Sequence, residues 1–249
     1  MPAFAEVDTT TATTEIAGPE LAIESERAPT GHQRSTATAS GAAVEKIDLK
    51  KTLPSYRAKS GEFATITVPP LRYLMLDGHG DPNVSPQFTS AVESLYPLAY
   101  ALKFLSKREL DRDYVVPPLE GLWWAEDMSS FTTARNKADW DFTLMLLVPD
   151  WLDRTHIDSA AEAVARKSSP PRLREVRVET LDEGTCVQTL HLGSFDSEAE
   201  VLAHLHDDVI PNAGFALTGT HHEIYLSDSR RTAPEKLRTI LRQPVRRVR

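Results

Sequence analysis

Hydrophobic and polar positions along this chain alternate with two periods, and the switches between them predict its elements. Phe63 to Val68 alternates as a short strand stopped by Pro69-Pro70, and Leu71 to Leu76 reads as the next strand. Asp77-Gly78-His79-Gly80-Asp81-Pro82 reads as the turn that closes it. Ser85-Pro86 then has the form of an N-cap followed by a first-turn proline. Phe88, Val92, Leu95, Ala99 and Leu102 recur at steps of four and three, one apolar helix face, with Pro97 expected to kink or split that helix.

Glu120 to Ala125 and Trp140 to Val148 return to strand character, and Thr155 to Lys167 carries a second helical face. The pattern then repeats. Leu173 to Glu179 and Cys186 to Leu192 alternate as strands, and Ser197-Glu198-Ala199-Glu200 has the form of a capping box before Val201, Leu202 and Leu205. His221 to Leu226 is a further strand. Thr232 to Glu235 reads as a second capping box opening a last helix, with Leu237, Ile240 and Leu241 on its apolar side.

The stretch that organises the rest is His221-His222-Glu223-Ile224-Tyr225-Leu226. Strand parity puts His221, Glu223 and Tyr225 on one face and His222, Ile224 and Leu226 on the other. One face thus sets a carboxylate beside a phenol, a pairing suited to meeting a cation or moving a proton. Both halves of the chain read strand, glycine turn, helix, loop, then a strand with a glutamate and large rings. Matching Glu120 with Trp123-Trp124 to Glu223 with Tyr225 predicts two similar units about a pseudo-twofold axis, with a pocket acid and an aromatic wall from each half. By parity with Glu120, Trp124 is favoured over Trp123 as the pocket ring, and Glu120 is either a second pocket acid or an exposed strand start.

Composition narrows the partners. The formal net charge of −8 argues against nucleic acid, and the basic run from Arg242 to Arg249 reads as a solvated tail. Residues 1–45 hold seven acidic residues and two arginines, a net of −5, and are nearly free of aromatics, with Phe4 the exception, so they read as a disordered extension ahead of a domain over 46–249. Within it the repeats span about 60–170 and 171–245. No apolar run is long enough for a membrane helix, and no secretory signal is visible, so a cytoplasmic location is the default. Cys186 is the only cysteine, which excludes an internal disulfide and a cysteine-based zinc site, and in a strand it reads as a buried apolar group. Neighbouring His221 and His222 point apart with no third ligand at a suitable spacing, so no metal is expected. His79, His204 and His206 read as surface residues.

The run from Thr220 to Leu237, with Glu120-Gly121-Leu122-Trp123-Trp124 and Lys46-Ile47-Asp48 with Tyr56, resembles the GyrI-like small-molecule-binding proteins over roughly residues 45–245. The resemblance implies an α+β fold, a tandem pair of βαββ units with antiparallel sheets around a central aromatic cleft with a buried glutamate. It also implies a small polycyclic ligand and no cofactor. Family members include drug sensors of transcription regulators and enzymes that open the cyclopropane ring of duocarmycin-, yatakemycin- and CC-1065-type DNA alkylators. Glu223 matches the family's pocket glutamate, Tyr225 lies two residues on, and Trp123 and Trp124 match its aromatic wall. For hydrolysis, Glu223 would be the base and Tyr225 the hydrogen-bond donor, or the reverse; for simple binding, Glu223 would be a counter-charge in an aromatic cage. A carboxyl buried among rings is expected to have its pKa raised by desolvation.

Overall fold

The computed structural model describes residues 45–126 and 136–248, so most of the expected N-terminal extension, the middle of the polar connection after Trp124, and Arg249 lie outside the described residues. The chain folds as a mixed α+β structure around one curled antiparallel sheet. Its strands are β1 (Ala64–Val68), β2 (Leu71–His79), β3 (Glu120–Trp124), β4 (Asp141–Leu147), β5 (Arg177–Leu181), β6 (Gly184–Leu192), β7 (Phe215–Leu217), β8 (His221–Tyr225) and β9 (Arg238–Arg247). They lie in the order β1-β6-β9-β8-β3-β4-β2-β5, with β7 pairing the far end of β9.

This order reads the same from both ends. The unit β2–α2–β3–β4, with α2 at Pro86–Glu109, is mirrored by β6–α4–β8–β9, where α4 (Glu198–Ala203) continues through a π-helical turn (His204–Val209) into Ile210–Asn212. The axis runs between β3 and β8. The leading strands cross over: β1 pairs β6, and β5 pairs β2. Register carries the symmetry to single residues. Arg177, Met75, Met145 and Glu120 lie in one row across β5, β2, β4 and β3, and Ala64, Gln188, Arg242 and His222 form the matching row across β1, β6, β9 and β8. Glu120 therefore corresponds to His222, Gly121 to Glu223, and Trp123 to Tyr225.

The two sheet faces are covered differently. Over the first unit, α2 and α3 (Arg154–Lys167) bury Leu95, Leu98, Leu102, Ile157 and Val164 against Leu74, Leu76, Phe142, Leu144 and Leu146. Each such side chain contributes about 1.5–3 kcal/mol. The same face of the second unit has only a small apolar cluster of Val187, Leu205, Ile210, Phe215 and Val245 under its short, irregular helix. The opposite face packs Tyr73, Met75, Met145, Ile224 and Ile240 beneath the segment Leu49 to Ala58, which contains the one-turn helix α1 (Leu49–Thr52).

Several elements depart from the expected pattern. The residues expected to turn after Leu76 continue β2 to His79. Gly78 faces Phe142, where an added Cβ would stand 2.2 Å from the ring, so this glycine makes room for packing and does not mark the turn. Pro97 does not split α2, whose tertiary packing outweighs one missing hydrogen bond. Ser85 sits at the N-cap, but its hydroxyl donates to His79 O at 2.8 Å. Leu173–Glu175 is a 3-10 turn, and the strand starts only at Arg177. Ser197 makes no capping bond to the helix; its hydroxyl donates back to Ser194 O at 2.7 Å.

The largest departure is at the C-terminus. The expected last helix is a 3-10 turn (Pro234–Lys236) followed by β9, and Arg242, expected in a solvated tail, is 1% exposed. β9 runs through the sheet with both faces covered. Its apolar residues therefore do not alternate, and Leu237, Ile240 and Leu241 happen to fall at a helical spacing.

Candidate active site

β8 lies beside β3 at the centre of the sheet, with Gly121 opposite Glu223 and Trp123 opposite His221. Residues opposite each other project to the same face. Trp123, His221, Glu223 and Tyr225 therefore share the helix-covered face, and Glu120, Leu122, Trp124, His222 and Ile224 take the other. The expectation that Glu120 and Trp124 line one cleft with Glu223 does not hold. Matching glutamate to glutamate slips the repeat by one residue, and one residue inverts the face.

On the helix-covered face Tyr225 O–H donates to Glu223 Oε2 at 2.8 Å, and Trp123 Nε1–H donates to the same phenol oxygen at 2.8 Å. Gly121 makes this possible. A Cβ there would lie 2.7 Å from Trp123 Nε1 and 3.1 Å from the Tyr225 oxygen. Trp123 is packed by Phe142, Trp140 and Phe88 at 5.4, 5.8 and 6.4 Å between ring centroids, and Phe195 meets Tyr225 edge-on at 5.6 Å. Burial and the Glu223 charge hold the Tyr225 phenol well above its usual range, so it stays protonated. Glu223 retains 14% of its side-chain surface, and its Oε1 accepts no hydrogen bond among the described residues; His221 Nε2 is 3.7 Å away.

Polar atoms without partners gather beside this pair. Glu198 Oε1, Thr239 Oγ1, His206 Nε2 and both ring nitrogens of His221 are buried with no hydrogen bond among the described residues. Thr239 stands opposite Tyr225 in the β8–β9 ladder. His206, expected at the surface, is carried inward by the π-helical turn, its ring 5.8 Å from that of His221. Burial first, and then His221, pull the His206 pKa down to about 4. Glu198 is 4% exposed, and burial followed by the Glu223 charge pushes its pKa up to about 10. The carboxyl raised by desolvation is thus one that the sequence pattern hid inside an apparent capping box. Nothing in the alternation pointed to Thr239 either, since it lay in the expected helix.

The opposite face of the same strands holds a second polar cluster, and it is complete. His222 is fully buried between two carboxylates, Nε2 at 2.9 Å from Glu120 and Nδ1 at 3.0 Å from Glu183. Arg242 donates to Glu183 at 2.8 Å, to Gln188 at 3.0 Å and to the Ser55 carbonyl at 2.7 Å, and Tyr56 O–H donates to Glu120. Desolvation opposes the charge on His222, but Glu183 and Glu120 outweigh it and raise its pKa. Desolvation is likewise outweighed at Glu183, where His222 and Arg242 bring the pKa down to about 2. Two carboxylates, an imidazolium and a guanidinium balance. Trp124 is half-buried on this face, and Cys186 is fully buried with its thiol pushed up to about 12 by desolvation.

Two surface clefts, of about 340 Å³ between α2 and α3 and about 430 Å³ beside β6 and α4, stand apart from Glu223. Among the described residues no three His, Cys, Asp or Glu side chains are grouped to hold a metal, and no helix is long and apolar enough to cross a membrane.

Against known proteins, residues 62–246 match the model of a GyrI-like small-molecule-binding domain. Three crystal structures of Listeria innocua proteins align with 81% of this chain over 100% of their own length. One is described as an uncharacterized conserved protein (37% identity, TM-score 0.73). Another is described as a hydrolase (37%, 0.70), and the third as a hydrolase encoded by lin2189 (36%, 0.71). None of the curated proteins matches significantly.

Proposed function

The chain belongs to the GyrI-like small-molecule-binding family, and on that premise we propose that it is a cofactor-independent hydrolase. Its substrates on this reading are polycyclic DNA alkylators of the duocarmycin, yatakemycin and CC-1065 type, whose cyclopropane ring it opens with water. The observation that carries the reading is the Glu223–Tyr225–Trp123 chain. One carboxylate oxygen is held by a phenol that an indole fixes in turn, and the other oxygen is left to accept a proton. A base that is oriented but only half engaged is what water activation requires. The hydrolase relatives at 36–37% identity support an enzyme over a passive binder.

In the proposed reaction Glu223 Oε1 takes a proton from water while the water oxygen bonds to the ring methylene. The cyclopropane bond breaks, and its electron pair moves into the conjugated dienone, which becomes a phenolate. The product no longer alkylates. Tyr225 has one proton, and it is aimed at Glu223, so the phenol serves as the orienting partner of the base. Phe195, 38% exposed and edge-on to Tyr225, offers apolar surface to a polycyclic ligand, and Trp123, 4% exposed, is packed behind it. Trp124 and Glu120, on the other face, have no part in this.

Incubation with a duocarmycin-type compound in ¹⁸O-labelled water tests the reading by mass spectrometry. The expected product is heavier than the substrate by one labelled water and accumulates over many turnovers per protein. A stoichiometric complex that yields no product would identify a binding protein instead.

A further inference from the structure

We propose that Glu198 is a second acid of this site, carried as a neutral carboxylic acid, and that it protonates the oxygen on which negative charge develops while Glu223 acts as base. The proposal rests on the hydrolase reading above and supplies a role that reading leaves open, because the one proton of Tyr225 is already given to Glu223.

The geometry is specific to Glu198. It reaches the site from the helix layer, whereas Glu223 rises from the sheet. It is 4% exposed and its Oε1 has no hydrogen bond among the described residues, although a buried carboxylate normally collects several donors. The groups facing it come from four elements. Glu223 and Tyr225 on β8 offer a negative charge and a committed phenol, and Thr239 on β9 acts on Glu198, although its Oγ1 completes no hydrogen bond among the described residues. Asp196, in the turn before α4, adds like charge. Lys137, in the 3-10 turn before β4, lowers the pKa of Glu198 among the described residues, and it is engaged by Asp196 at 2.8 Å. A carboxylate here would be desolvated, repelled by Glu223 and, among the described residues, left to share Lys137 with Asp196. The neutral acid avoids all three and keeps a proton to give. A carboxyl kept neutral by its surroundings beside a second carboxyl is an arrangement from which acid–base pairs are made.

The proton balance closes. Water gives one proton to Glu223, Glu198 gives one to the nascent phenolate, and transfer of the extra proton from Glu223 back to Glu198 through solvent resets the site with one water consumed.

Two readouts test this. In infrared difference spectra of the whole protein at neutral pH, a protonated-carboxyl band is expected in the wild type and should vanish in Glu198→Gln. Absence of the band in the wild type would overturn the proposal whether or not the protein is active. In turnover assays, Glu198→Gln should lower kcat by about 10²-fold, the usual scale of one general acid, with KM changed less than about twofold and the alkaline limb of the rate profile removed. Glu198→Asp should restore part of kcat. An active wild type with unchanged kcat and pH profile in Glu198→Gln would overturn the donor role and leave the hydrolase reading standing. A wild type with no turnover would overturn that reading and the donor role with it, while the band still decides the protonation state.

Discussion

The two faces of the β3–β8 pair form a controlled comparison within one molecule. Both carry buried acids and histidines within a few residues of each other. On one face every charge is answered: Glu120, His222, Glu183 and Arg242 bond in a closed chain that also ties down the carbonyl of Ser55. On the other face Glu223 Oε1 has only His221 Nε2 at 3.7 Å and no hydrogen bond among the described residues, and Glu198, Thr239, His206 and His221 leave buried polar atoms without a hydrogen bond among them. Unsatisfied buried groups cost about 1–3 kcal/mol each, so their concentration at one place points to a site kept for something other than stability. The closed face clamps the segment from Leu49 to Ala58 onto the sheet, and the open face holds the groups proposed for chemistry. Pseudo-symmetry sharpens the contrast. Glu120 and His222 are equivalent positions that bond to each other, whereas Glu223 is matched by Gly121, which contributes only space.

The sharpest way to break the comparison is to remove a charge from the closed face. Glu183→Ala leaves Arg242 and His222 with unbalanced buried charge and should cost about 3–5 kcal/mol. That is some 10 °C in melting temperature for a chain of this size, measurable by calorimetry. The sign with pH follows from the shifts. Glu183 is lowered to about 2, so its contribution is present above its ordinary value near 4.5 and is lost as pH falls towards 2. His222 is raised, so its contribution is present below its ordinary value near 6.5 and is lost as pH rises through the folded value. Wild-type stability should therefore peak between these limits, and Glu183→Ala should flatten the acid side.

A smaller effect is expected at the seam between the faces. Gly121→Ala would press a methyl group against Trp123 Nε1 and the Tyr225 hydroxyl, costing about 1–3 kcal/mol as overpacking. Activity should fall more than stability does, because the phenol that orients Glu223 is displaced. Turnover and melting temperature measured on one preparation separate the two. The smallest effect is predicted for Thr239→Val, which replaces a buried hydroxyl that has no complete hydrogen bond among the described residues with a methyl of similar shape. Its stability should change by less than about 0.5 kcal/mol or rise. A loss above about 2 kcal/mol would show that this hydroxyl is answered after all, and the contrast between the faces would weaken.

How much of this could be read in advance follows from the physics of each element. Alternation in His221 to Tyr225 was enough to put Glu223 and Tyr225 on one face, because a central strand keeps a strict period of two. The duplication was also legible, since each unit repeats the order of strand and helix. Its register was not. Glutamate matched to glutamate looked natural, but the strand register makes Glu120 the counterpart of His222, and the slip exchanged Trp123 for Trp124 as the ring beside Tyr225. β9 was hidden because burial on both faces erases alternation. Glu198 was hidden for another reason. Its role depends on a helix docking over β8 and β9, and no local pattern records which helical residue ends up above which strand.

The most direct test sets the two faces against each other in matched substitutions. Glu223→Gln and Glu120→Gln remove a carboxylate from neighbouring strands, one from each face of the sheet. Measured together for melting temperature and turnover, Glu223→Gln should melt within a few degrees of wild type and lose turnover by about 10²-fold or more. Glu120→Gln should melt about 10 °C lower and, below its transition, keep turnover within a few-fold of wild type. Turnover surviving in Glu223→Gln and lost in folded Glu120→Gln would place the chemistry on the closed face and contradict the account.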